Sequence, residues 1–127
     1  MIQTKLSLPQ NYDSHHAYPL ILINDGDLHH FNALKEKAIL VGLLPENRLV
    51  DYTPWQATAI RSGAENFGGQ ADEYHNELFT NVLPELQSKY SIDTNKIFYG
   101  GYSLGGLAAV YSLYRTNIPS AIFSICG

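Results

Sequence analysis

Cysteine is almost absent. Cys126 is the single one among 127 residues, so no internal disulfide forms within the chain and no cysteine set with metal-ligand spacing exists. Its reading is a small apolar residue in a buried strand, and a reducing, cytoplasmic setting fits. Long apolar runs are lacking as well. The longest, around Ala38–Leu44 and Ala121–Cys126, are strand-sized, far below the ~20 residues of a spanning helix. Met1-Ile2-Gln3-Thr4-Lys5 has no basic segment leading into an apolar core, so no signal peptide is read there. Charge of one sign is scarce: 8 basic against 12 acidic residues gives a net charge of −4 without any block. That pattern speaks against nucleic acid or a membrane surface as partner.

What remains is 45% hydrophobic and rich in tyrosine, with nine. It reads as one globular unit spanning residues 1–127, without repeats, low-complexity tracts or linkers. Lys5-Leu6-Ser7-Leu8-Pro9 alternates as a short first strand, closed by its proline. The polar loop Asn11–Tyr18 follows; its His15-His16 pair lacks a third ligand and reads as solvated. Pro19–Ile23 is apolar throughout, as a strand covered on both faces is, and it ends abruptly in Asn24-Asp25-Gly26-Asp27. A short helix is predicted over Leu28–Lys37 with Asp27 as N-cap, then a strand over Ala38–Leu43. Arg48–Gly69 shows no period and is read as a long loop over one end of the sheet. Ala71–Tyr90 has helical spacing in Tyr74, Leu78, Val82 and Leu86, with Pro84 kinking it or starting a new turn and His75 partly exposed. Ser91–Asn95 reads as a turn, Gly105–Arg115 as a helix and Ala121–Cys126 as a last strand. Strands alternating with helices predict a right-handed, mostly parallel α/β sheet in three layers. The site of such a sheet lies outside the carboxyl ends of its strands.

Between the strand Lys96–Tyr99 and the helix stands Gly101-Tyr102-Ser103-Leu104-Gly105, which matches G-x-S-x-G, the nucleophile elbow. The spacing is steric: a sharp strand-to-helix bend lifts one side chain clear and brings the residues two before and two after too close for a Cβ. The helix aims its first N–H groups back at the bend, a place suited to developing negative charge. No cofactor is called for. A dinucleotide fingerprint would need glycine where Tyr102 stands, and no Gly-Lys-Ser/Thr of a phosphate loop exists.

The residues resemble the esterase branch of α/β-hydrolases, which includes siderophore (enterochelin-type) esterases, feruloyl esterases, S-formylglutathione hydrolases and mycolyltransferases. The likeness runs through Tyr18–Gly26, Val41-Gly42 with Arg48 and Asp51-Tyr52-Thr53-Pro54, Leu83-Pro84 with Lys89-Tyr90, and above all Gly101–Leu107. That family more often has His where Tyr102 stands. The resemblance implies a small-molecule ester as substrate and Ser103 as the nucleophile. It implies backbone oxyanion donors at Leu104 and Asp27, with the side chains of Asp25 and Asp27 shaping the loop. Arg48 is implied as a substrate contact, against an ordinary loop salt bridge. Tyr52, Trp55 and Phe67 either line a pocket for the acyl group or pack the long loop down.

A serine hydroxyl needs a base, and the base an orienting acid. In α/β-hydrolases both follow the serine, yet no Asp, Glu or His follows Ser103; His15, His16, His29, His30 and His75 all precede it. Two readings stand. Either these residues are the first half of an esterase domain whose acid and base lie beyond Gly127, or they form a non-catalytic interaction module. In both, an uncovered edge after the last strand invites self-association or pairing with a missing C-terminal half.

Overall fold

The computed structural model describes residues 2–26, 28–54, 56–57 and 67–125. Its main sheet has the strand order β1-β3-β2-β6-β7, formed by β1 (Gln3–Ser7), β2 (Tyr18–Asn24), β3 (Ile39–Leu44), β6 (Ile92–Tyr102) and β7 (Ala121–Ile125). All neighbours pair in parallel except β1, which runs antiparallel to β3 with Lys5 opposite Gly42.

The apolar strands are buried on both faces because their residues alternate between two cores. Leu20 and Leu22 of β2, Val41 of β3 and Tyr99 of β6 face one cluster. It is completed by α2 (Ala71–Glu77), the segment joining it to α3 (Leu83–Lys89), α3 itself and α4 (Leu104–Ser112), through Tyr74, Leu78, Leu83, Leu86, Ala108 and Ala109. Each such leucine contributes about 1.5–3 kcal/mol. Ile21, Ile23 and Leu40 face the other way, onto Leu28, Phe31, Phe98 and Phe123. This second face is thinly covered: a hollow of about 310 Å³ opens there, lined by Ile21, Phe31, Leu34, Phe98 and Phe123 among others.

Several boundaries differ from the sequence reading. The segment after β2 is a 3-10 helix, Leu28–Leu34, broken at Phe31 (φ −111°, ψ 19°) rather than an α-helix to Lys37. The presumed loop from Arg48 holds a short helix, α1 (Arg48–Asp51), capped by the Asn47 side chain on the Leu49 N–H. It also holds a small ladder of β4 (Gln56–Ala57) on β5 (Phe67–Gly68). Between α2 and α3 the helix widens to a π segment, Leu78–Val82. Pro84, in the first turn of α3, cannot donate to the carbonyl four residues back, and the wider turn absorbs that loss. β6 begins at Ile92, so the turn read over Ser91–Asn95 is mostly strand. The elbow helix stops at Ser112, short of Arg115. Cys126 lies outside the described residues.

Candidate active site

The elbow forms where β6 ends. Ser103 takes φ 53°, ψ −120°, a region that a II′ turn reserves for glycine at its first central position, and its side chain is exposed. Two backbone hydrogen bonds hold the bend: the Ser103 N–H donates to the Ile125 carbonyl at 2.9 Å, and the Leu107 N–H to the Ser103 carbonyl at 3.0 Å. Leu107 is the first amide of α4 to find an acceptor inside the helix, so those of Leu104, Gly105 and Gly106 precede the intrahelical ladder.

The flanking glycines meet across the bend. A Cβ on Gly101 would stand 2.9 Å from the Gly105 carbonyl carbon and 3.0 Å from Asn24 Cβ. One on Gly105 would stand 3.0 Å from Asn24 Cβ and 3.2 Å from an Asp25 carboxylate oxygen. The elbow therefore packs directly against the end of β2 and the loop after it.

That loop is sharply folded, with Asp25 and Gly26 both at φ 71°. Its described amides are spent: Asp25 N–H donates to the Tyr52 hydroxyl at 3.0 Å, Gly26 N–H to the Ile23 carbonyl at 3.4 Å, and Leu28 N–H to the Gly26 carbonyl at 3.0 Å. Arg48 reaches in from α1 and binds the Asp25 carboxylate with two donors, Nε at 3.3 Å and Nη2 at 3.0 Å. The half-exposed pair fixes loop geometry more than it adds stability, since such pairs are worth about 0–1 kcal/mol. Of the residues singled out in the sequence, Ser103, Leu104, Asp25 and Arg48 are thus brought to one end of the sheet. Asp27 and Trp55 lie outside the described residues.

Beneath the site is a polar cluster that the sequence did not reveal. Asn24, fully buried, donates through Nδ2 to the Tyr99 hydroxyl and the Gly105 carbonyl, both at 2.9 Å, while its Oδ1 accepts from the Tyr74 hydroxyl at 2.9 Å. Burial is the main reason that the Tyr52, Tyr74 and Tyr99 hydroxyls are held well above the ordinary phenol range. The one legible signal was an asparagine ending an otherwise apolar strand.

His75 also belongs to this cluster, correcting its reading as partly exposed: it is 3% exposed. Its ring stacks between Phe79 and Tyr111, and Nε2 lies 2.9 Å from the Tyr99 hydroxyl. Nδ1 has no partner. Desolvation lowers its pKa from 6.5 to about 4, against a smaller opposing pull from Asp72. The unfolded chain therefore binds the proton first. The stability from a neutral His75 is complete above pH 6.5 and is lost as pH falls towards 4, by about 3 kcal/mol. Urea unfolding from pH 7 to 4 should show that decline, and His75→Phe should flatten it.

Neither His15, His16 nor His75 serves Ser103. His15 and His16 precede β2, a strand whose seven residues put them about 20 Å from the carboxyl end. His75 is engaged with Tyr99.

The profile of the family described as "Putative esterase" matches residues 1–117. The chain belongs to that esterase family. A Bacillus subtilis (strain 168) protein, the uncharacterized YbbA, is 26% identical to this esterase chain, covering 96% of it and 55% of YbbA. An IroE-like serine hydrolase from Shewanella oneidensis superposes with a TM-score of 0.81 at 24% identity, over 96% of this chain and 49% of its own. The enterobactin hydrolase IroE, in complex with DFP, gives 0.74 at 18% identity, over 93% and 54%. The α/β-hydrolase fold is thereby shared, and the esterase chain spans about half the length of these relatives.

Proposed function

We propose that the chain is the nucleophile-bearing half of a serine esterase. The observation that carries this reading is the backbone of Ser103, held at φ 53° with its side chain exposed, against the Asp25-Gly26 loop. Strain of this kind persists where the surroundings enforce it, and it clusters at functional sites. The Ser103 hydroxyl attacks the ester carbonyl and gives its proton to a base. The carbonyl oxygen, now anionic, is met by the amides of Leu104 and Asp27. The alcohol leaves with that proton, and water then frees the acyl group from Ser103. Each amide donor of such a pair supplies about 10²–10³ in rate. Arg48 and Trp55 are assigned to substrate contact, and a reducing cytoplasm is the assigned compartment.

The base and its acid are assigned to residues beyond Gly127. The surface they would arrive on is apolar. Leu113 and Tyr114 are 61% and 82% exposed, and Ile118 and Ile125 40% and 41%. Of these Ile125 lies on β7, which pairs only with β6 among the described residues and has the hollow at Phe98 and Phe123 beside it, an arrangement suited to a further strand and helix. A non-catalytic interaction module is the competing reading, favoured by the lack of Asp, Glu and His after Ser103.

Hydrolysis of p-nitrophenyl acetate separates the two. The 127 residues alone should turn over about a millionfold more slowly than the same residues with the polypeptide encoded after Gly127. Equal turnover would remove the need for an added base. No turnover by the longer protein would leave only the interaction module.

A further inference from the structure

The backbone ladder between β2 and β6 ends at Ile23 and Gly100. Beyond that pair β6 runs on into the elbow and β2 into the Asp25-Gly26 loop. Asn24 is the next residue, and its side chain carries the link onward. Nδ2 donates to the Gly105 carbonyl at 2.9 Å, in the first turn of α4. The orientation of that side chain is fixed by its partners. A carbonyl only accepts, so Nδ2 must face Gly105; its second proton goes to the Tyr99 hydroxyl, and Oδ1 accepts from the Tyr74 hydroxyl, both at 2.9 Å. Carbon packs as closely there as the polar atoms do, since a Cβ on Gly101 or Gly105 would stand 3.0 Å from Asn24 Cβ.

Asn24 therefore joins two backbone segments through one short side chain. Its own peptide leads directly into Asp25, and its amide grips the residue after Leu104. Those are the segments from which an oxyanion would draw its donors. We propose that Asn24 is a positioning residue that sets the distance between the loop after β2 and the elbow helix. This rests on the esterase reading. Fully buried, Asn24 has no surface to offer a substrate, so its effect passes through the backbone on either side of it. Tyr52 and Arg48 also hold the loop, at the Asp25 amide and carboxylate, but they reach it from α1 and its C-cap. Asn24 carries the hydrogen bond that crosses from β2 to α4. A leucine in its place would keep the bulk and leave the Gly105 carbonyl without that donor, in a buried setting where unmet polar groups are costly.

Tyr74→Phe and Tyr99→Phe are the matched controls. Each removes one buried hydroxyl bonded to Asn24 and leaves the bond to Gly105 in place. The first readout is ester hydrolysis by the longer protein. Asn24→Leu should lower kcat about 10- to 100-fold with KM within about twofold, as displaced donors would, and both controls should keep kcat within about threefold of wild type. A purely structural role predicts instead that kcat falls in step with Tm across all three variants, and that result would overturn the proposal. The second readout is amide hydrogen exchange on the 127 residues. Asn24→Leu should speed exchange at Asp25 and Leu107 about tenfold beyond any change in the β1–β3 ladder, and the controls should not. Unchanged exchange at both amides would also overturn it. Wild-type protein without hydrolysis would defeat the esterase reading and the positioning role with it, while exchange would still show whether Asn24 ties the two segments. If Asn24→Leu does not fold, exchange in the wild type at rising urea decides. The Asp25 and Leu107 amides should open together; Asp25 exchanging while Leu107 stays protected would overturn the proposal.

Discussion

Replacing Ser103 by glycine should abolish ester hydrolysis while making the protein more stable. The activity side follows from the nucleophile: removing a serine of this type costs about a millionfold in kcat. The stability side follows from the backbone. A residue with a Cβ held at φ 53°, ψ −120° carries strain of about 1–3 kcal/mol. Ser103 also provides no side-chain cap to α4, so glycine forfeits no hydrogen bond there. Against the gain stands the greater chain freedom of an unfolded glycine, about 0.5–1 kcal/mol. The net expectation is roughly 1 kcal/mol, or a rise of about 4 °C in Tm. Thermal unfolding beside Ser103→Ala separates the effects, because alanine keeps the strained Cβ. A Ser103→Gly protein less stable than Ser103→Ala would mean that the bend is not strained.

Gly101→Ala should damage fold and site together. Its new methyl would stand 2.9 Å from the Gly105 carbonyl carbon, which is backbone at the root of α4 and cannot swing aside. Overpacking of this kind typically costs about 1–3 kcal/mol. The only relief is to move α4 away from β6, which also moves Ser103 and the Leu104 amide. A misplacement near 1 Å is enough to cost about 10² in rate. Gly105→Ala is the milder partner, because its methyl meets the Asn24 and Asp25 side chains at 3.0 and 3.2 Å. The Asp25 carboxylate has room to give by loosening its hold on Arg48. Urea midpoints should therefore rank wild type above Gly105→Ala and Gly105→Ala above Gly101→Ala. The opposite order would mean that crowding at the bend does not limit it.

The parts of the molecule that were legible in the sequence are those governed by local sterics and by period. The elbow was legible because only glycine tolerates the approach at positions 101 and 105, and β2 and β3 because unbroken apolar runs suit strands covered on both faces. The helix α1 was not, since four residues carry no period and its cap, Asn47, also reads as a turn residue. His75 was misplaced for a different reason. Helical spacing put Tyr74 and Leu78 on the inward face and read His75 beside them as partly exposed. What buries it is Tyr99, 24 positions later, and Tyr111 on another helix. The same holds for the hydrogen bonds of Tyr74 and Tyr99 with Asn24 and of Tyr52 with the Asp25 amide. Tyrosines read as apolar bulk, and which of their hydroxyls meet is set only once β2, α1 and α2 are packed together.

The central claim is that the Ser103 hydroxyl is the group that attacks. Treating the longer protein with a fluorophosphonate and mapping the adduct by mass spectrometry tests it most directly. The account predicts a single modified peptide with the phosphonyl group on Ser103. Modification of another residue, or an unmodified Ser103 in protein that hydrolyses esters, would contradict it.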